Sequence, residues 1–289
     1  MKLICLMCLW MCCLGLNAAT IEAPSSPPFK AMLPDSRIVA YYGNFYSAKM
    51  GILGAYPPDQ VLAHLQKTVQ EWELADPATP VIPAINYIAV TAQGSPGRDG
   101  KYRLRMPTSQ IDKALAMADQ VHGLLFLEVQ VGLSTVPAEL PLFASYLKSP
   151  NVELALDPEF AMSNGRHPGT IIGSMDAATV NQAAAYLAQI VQENHLPPKI
   201  LLVHCFTDDM LTNDKDIQSL PDVQIVVAMD GFGHPHLKKA VYQGVIADQP
   251  FPYTGFKLFY KNDTLGNSRL MTPAEVLALK PKPIYIQYQ

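Results

Sequence analysis

The sequence predicts an α/β chain of the (β/α)8 TIM-type barrel class, ending at or near its eighth strand. Three observations carry that expectation. Short apolar runs alternate with helical patterns, as in βα units that build a parallel sheet. The runs number eight, at 37–43, 81–90, 123–131, 152–157, 199–206, 223–230, 254–260 and 283–288. The segments entering strands are brief and proline-marked (196–199, 219–222 and 280–283), whereas those leaving strands are longer and rich in Gly, Asn and charge (44–56, 91–107, 160–176, 231–236 and 261–271). In a barrel all the latter gather on the C-terminal face, where such folds place their sites. An open doubly wound sheet would also gather them there, and the eighth strand decides for closure.

The chain opens with Lys2, an apolar run from Leu3 to Leu16 and the small residues Ala18 and Ala19, the three-part layout of a secretory signal peptide. The run is shorter than the ~20 apolar residues that cross a bilayer. Residues 1–19 are therefore expected to be removed, and the mature chain to be secreted or periplasmic. Residues 20–36 read as a linker, because Pro24, Pro27, Pro28 and Pro34 disfavour helix and ladder pairing alike. Residues 37–289 then form one barrel domain. Four of the five cysteines lie in the leader, so Cys205 has no internal disulfide partner. A net charge of −4 with scattered basic residues gives no footprint for nucleic acid, and no later segment is apolar enough to span a membrane.

The helices have recognisable starts. Ser109 to Asp112 is a capping-box pattern, and Thr272 to Glu275 puts Pro273 at the first helical position. The clearest helix covers 178–193, with Val180, Ala184, Leu187 and Val191 on one stripe.

Side chains alternate across a strand, so every second residue of a barrel strand points inward. In the fourth run Leu154 and Leu156 face the helices, while Ala155, Asp157 and Glu159 face the axis, successive members about 6.6 Å apart along the backbone. The same parity brings in the pair Glu128 and Gln130, then His204, Phe206 and Asp208, then Asp230, Lys257, Phe259 and Gln287. Barrel interiors are normally filled by branched apolar side chains. A ring this polar implies an open, wet pocket, because buried charge is costly unless paired or solvated. Clustered ionisable groups in a pocket mark function.

Other features are the basic stretch Arg98, Lys101, Arg103 and Arg105, which would grip an anionic group or form a solvated loop, and the loop histidines His234 and His236. Tyr41, Tyr42, Phe45, Tyr46 and Tyr56 around the first exit loop would offer a sugar-stacking platform. Asn262 to Thr264 fits a glycosylation acceptor.

At Asp157-Pro158-Glu159 the chain resembles two sugar-cleaving barrel families. Family 25 lysozymes end the fourth strand in Asp-x-Glu after apolar residues, as in Leu154 to Glu159. Family 18 chitinase-like proteins carry Asp-x-Glu there too, open with a Tyr-Tyr strand similar to Val39 to Gly43, and have a Met-containing sixth-strand tip like Ala228 to Asp230. The chain departs from the chitinase pattern at Ala155, where that family has a further Asp. It departs from the lysozyme pattern on the first strand, where Tyr41, Tyr42 and Asn44 stand in place of an Asp. The resemblance implies a carboxylate-based glycosidase acting on a glycan without cofactor or metal. Glu159 would be the general acid, Asp157 its charge-stabilising or substrate-orienting partner, and Asp230 or Glu128 would assist. Gln130, His204, Lys257, Gln287 and Tyr42 would contact the substrate. Two further readings stay open: a metal-dependent hydrolase with Glu128, Asp157, His204 and Asp230 as ligands, and a glycan- or ligand-binding envelope protein without turnover.

Overall fold

The computed structural model describes residues 30–247 and 251–289. The predicted leader, and residues 20–29 of the predicted linker, lie outside the described residues. Eight parallel strands close on themselves: β1 (Arg37–Gly43), β2 (Val81–Ala92), β3 (Leu124–Val129), β4 (Val152–Leu156), β5 (Lys199–Cys205), β6 (Val223–Met229), β7 (Tyr253–Leu258) and β8 (Tyr285–Tyr288). Each pairs with its chain neighbours. β1 meets both β2, with Arg37 opposite Val81, and β8, with Ile38 opposite Tyr285, which leaves the barrel no open edge. The expected (β/α)8 TIM-type barrel is the fold. A short antiparallel strand, Arg103–Arg105, extends the end of β2, and β2 is irregular between Ile88 and Val90.

The helices are α1 (Pro58–Ala75), α2 (Thr108–Gln120), α3 (Val136–Glu139), α4 (Ala144–Leu147), α5 (Ala177–Asn194), α6 (Pro235–Val241) and α7 (Pro273–Leu277). Helix α5 buries Val180, Ala184, Leu187 and Val191 as its stripe predicts, and the Asp176 carboxylate caps its first turn. The Thr272 and Glu275 side chains form a reciprocal capping box on α7. The box expected at Ser109 does not form. Helix α2 begins at Thr108 with Pro107 as its uncapped N-cap, and Asp112 instead accepts the Tyr146 hydroxyl at 2.6 Å. Between β5 and β6 two 3-10 turns, Asp208–Met210 and Asp214–Asp216, stand where a helix would be.

Two apolar layers follow from the strand alternation. The outer one packs Val39, Ile85, Leu127, Leu154, Leu201 and Val227 against helix residues such as Leu65, Trp72 and Leu187. The inner one fills the lower barrel with Ile38, Ala40, Leu124, Phe126, Ala155, Ile200, Leu202, Val226 and Tyr285. Gly255 lets β7 lie close to its neighbours: a Cβ there would come within 2.7 Å of the Ala228 Cβ and 3.1 Å of the Tyr285 carbonyl. The floor is closed by Leu33, from the segment before β1. Its backbone N–H donates to Gln224 Oε1 at 3.1 Å, and its carbonyl accepts from Gln224 Nε2 at 2.7 Å.

Candidate functional site

Above the apolar layer, each strand places a polar side chain where the sequence alternation puts it. The first tier centres on the buried Glu128 and His204. Glu128 accepts the Tyr42 hydroxyl at 2.6 Å and Gln130 Nε2 at 3.1 Å, and its other oxygen meets His204 Nε2 at 3.0 Å. Burial works to raise the Glu128 carboxyl, yet His204, Lys257 and the Tyr42 hydroxyl outweigh it and hold it below the usual carboxylate range. The Tyr42 hydroxyl is driven the other way, well above its ordinary value, by burial and by the Glu128 charge. Beside this tier Asn86 Nδ2 donates to Gln287 Oε1 at 2.9 Å and to the Tyr285 hydroxyl at 3.2 Å, while that hydroxyl donates to Gln287 at 2.7 Å.

The second tier opens into a cavity of about 520 Å³ at the C-terminal mouth of the barrel. Six of the nine residues given catalytic or substrate roles line it, Tyr42, Gln130, Asp157, Glu159, Asp230 and Lys257, together with the predicted inward residues Phe206 and Phe259. Glu128, His204 and Gln287 do not, each being 0% exposed; they lie among its supports.

Asp157 and Glu159 reach the cavity by a local device that alternation alone does not describe. Strand β4 ends at Leu156, and Pro158, which cannot donate to a ladder, starts a 3-10 turn over Pro158–Phe160. Asp157 caps that turn, its Oδ1 accepting the Glu159 backbone N–H at 3.3 Å, while its Oδ2 accepts Gln130 Nε2 at 3.2 Å. Asp157 is buried, and burial together with the charges of Glu128, Asp230 and Glu159 pushes its carboxyl well above the usual range. Glu159 is half-buried on the cavity wall. Its carboxyl is also raised, by burial first and then by Asp230, against the pull of Lys257 and His204.

Asp230 and Lys257 face these two from β6 and β7. The Lys257 ammonium lies 3.9 Å from Asp230 Oδ2 and 3.8 Å from the centre of the Tyr42 ring, a cation–π contact that fixes it over the floor. Asp230 Oδ2 lies 3.6 Å from His204 Nδ1. Behind both tips a buried clasp holds the exit loops in place. Lys238 Nζ donates to the carbonyls of Gly231 and Lys257 at 3.0 and 2.6 Å and to Asp263 Oδ2 at 2.8 Å. Asp263 accepts the N–H groups of Gly233 and Phe259. Burial brings the Lys238 ammonium down to about 8 even beside Asp263.

Other sequence candidates go elsewhere. Strand β5 stops at Cys205, so Asp208 opens an exposed turn away from the cavity. Arg103 and Arg105 are taken up by the buried Glu139, at 2.8 and 2.7 Å, and brace the loop after β2. His234 and His236 stack on each other at the start of α6, ring centres 5.7 Å apart. Phe45 stacks on Tyr87 at 4.8 Å and Tyr46 is 64% exposed, while Tyr41 and Tyr56 line a neighbouring cavity. Asn86 and Tyr285 went unread, although the alternation of β2 and β8 would have found them. Lys49, Phe232, Asn262 and Gln289 on the cavity wall come from outside the strands and left no such signal. Among the described residues no group of three or more His, Cys, Asp and Glu side chains is arranged to hold a metal ion, and no helix is long and apolar enough to cross a membrane.

No family model and no curated protein matches the chain. Solved structures similar to it include a mannanase from Bacillus subtilis, at a TM-score of 0.44 and 12% identity over 88% of this chain and 80% of that one. A second Bacillus subtilis mannanase gives 0.43 and 12% over 89% and 81%. The YdhT protein from Bacillus subtilis gives 0.41 and 12% over 89% and 81%. At such values the chemistry of the site rests on its own atoms.

Proposed function

We propose that the protein is an exported glycoside hydrolase whose general acid is Glu159. The observation that carries this reading is the shared cavity of Asp157, Glu159 and Asp230, in which the first two carboxyls are held toward their protonated forms while Asp230 faces the Lys257 ammonium. Glycosidic cleavage needs one carboxyl that keeps its proton until the leaving oxygen takes it, and one carboxylate that meets the positive charge developing on the sugar. Glu159, half-exposed on the wall, gives its proton to the leaving oxygen. Asp230 meets the developing charge or activates the water from the facing strand tip. Asp157, the most buried of the three, donates a hydrogen bond that orients a sugar hydroxyl. Phe206, Phe232 and Phe259 supply apolar faces around these groups. Glu128, Tyr42, Gln130 and His204 keep the floor rigid through their hydrogen bonds. The leader-like layout of residues 1–19 supports export.

The test is turnover of peptidoglycan, chitin oligomers and other polysaccharides by the mature chain, beside its Asp157→Asn/Glu159→Gln variant. Hydrolysis by the parent and its loss in the variant are expected. A rate on every cleaved glycan equal to the parent's would overturn the assignment, and glycan binding without cleavage by the parent would make the barrel a binding protein.

A further inference from the structure

Beside the barrel mouth lies a second and larger cavity of about 830 Å³, built between the loop after β1, helix α1 and the loop after β7. It adjoins the first, and Lys49, Phe259, Asn262 and Gln289 line both. Its balance of charged side chains differs. The mouth presents Asp157, Glu159 and Asp230 against Lys49 and Lys257, whereas the outer cavity presents Lys49, Lys67 and Lys261 with His64 against Glu71. The three lysines come from three separate elements. None of them has an ion-pair partner among the described residues, in contrast to Arg37, Arg103, Arg105, Lys238, Lys257 and Arg269, all of which are paired. The cavity also offers hydroxyls and aromatic faces: the Tyr41 hydroxyl contacts Thr68 Oγ1 at 2.7 Å and the Tyr260 hydroxyl at 3.0 Å, and Tyr260 stacks on Tyr288 with centres 5.3 Å apart.

We propose that the outer cavity is a second binding lobe for a carboxylated sugar unit, so that the glycan threaded across both lobes is an acidic one. This rests on the glycan reading of the barrel mouth. A chain whose acid group sat in the mouth would meet the Asp230 carboxylate, and the Lys257 ammonium there is already paired with it. With its acid group in the outer lobe it meets three cations, while its neutral bond crosses Glu159. Each lysine is solvent-exposed, so each adds a modest and salt-sensitive amount, and together they give a preference on the order of ten-fold.

Binding is measured on the Glu159→Gln variant, so that turnover does not interfere, with fragments of pectate, alginate and hyaluronan, each paired with its carboxyl-methylated form. The expected result is roughly ten-fold tighter binding of at least one acidic fragment than of its ester. That preference should shrink in 0.5 M salt, on the order of the screening described for exposed charges, and vanish in Lys67→Glu/Lys261→Glu. The variant Lys148→Glu/Lys280→Glu changes charge equally on exposed loops that enter strands and should keep the preference. Equal binding of acid and ester, binding of neither member of any pair, or loss of the preference in the Lys148/Lys280 control as well would overturn the proposal. The catalytic reading is judged separately, by cleavage in the parent chain: acid preference without cleavage leaves the lobe standing and removes the hydrolase.

Discussion

The lower and upper halves of the barrel interior are made by the same eight strands with the same alternation, yet they obey different rules. Below, Phe126, Ile200, Leu202 and Val226 fill the axis and exclude water. Above, the next inward positions carry Glu128, Asp157, His204, Asp230 and Lys257. The lower half shows what stability alone asks of a barrel. The upper half shows what is added when it must also hold charge: every group is given a partner, as Glu128 is by Tyr42, Gln130 and His204, or is set in the wall of a cavity, as Glu159 is. Glu153 breaks the contrast instructively. It points inward low on β4, its Oε2 accepts the Ile200 N–H, its Oε1 has no hydrogen-bond partner, and burial pushes its carboxyl up to about 7 despite Lys199. A carboxyl placed in the lower half meets the rule there by keeping its proton.

The largest expected effect separates the halves by function. Glu159→Gln should lower kcat on a cleaved glycan by about 10²- to 10⁴-fold, the range for removing a general acid, and leave the denaturation midpoint where it was. An equal loss of stability would mean that Glu159 belongs to the packed interior. The converse change, Phe126→Ala, should cost about 3–5 kcal/mol in chemical denaturation, because it leaves a cavity where the ring packs edge-on against Tyr285 at 5.2 Å. A loss below about 1 kcal/mol would show that the lower half is not close-packed.

Glu153 supplies a pH dependence. The folded chain keeps its proton up to about 7, whereas the unfolded chain releases it near 4.5, the ordinary value for a glutamate. Between those values the folded state binds more protons, so stability is fully present below the window and falls as pH rises through it. The limiting slope is about 1.4 kcal/mol per pH unit. Glu153→Gln should flatten that part of the profile relative to the parent, and parallel profiles would place Glu153 in a solvated setting. Smallest is Tyr285→Phe, at the boundary of the halves. Losing the hydroxyl that links Asn86 and Gln287 should cost about 1 kcal/mol, with kcat unchanged. A large fall in kcat would extend the functional tier one level down.

Much of this arrangement could be read along the chain. Alternation with period two is a local property, so all eight strands and the inward parity of Glu128, His204, Asp230, Lys257 and Gln287 follow from it. The stripe of α5 and the capping box of α7 are local in the same sense. The capping box at Ser109 failed because the helix starts right after Pro107, and Asp112 is drawn to Tyr146 on another helix. Asp208 failed because strand length is set by where the backbone must turn, and β5 turns before the alternation reaches it. The pairing of Arg103 and Arg105 with Glu139 joins residues 36 and 34 positions apart, a distance over which no spacing rule speaks.

The barrel and the identity of its polar ring were thus in the sequence, because the direction of a side chain on a strand depends only on its neighbours. What only closure decided is depth. Strand tilt and stagger put Glu128, His204 and Gln287 under the floor and leave Glu159 and Asp230 on the wall, and the crossing of three distant segments makes the second, lysine-lined cavity. Depth sets solvation, solvation sets which carboxyl keeps its proton, and that quantity belongs to the closed barrel rather than to any stretch of the chain.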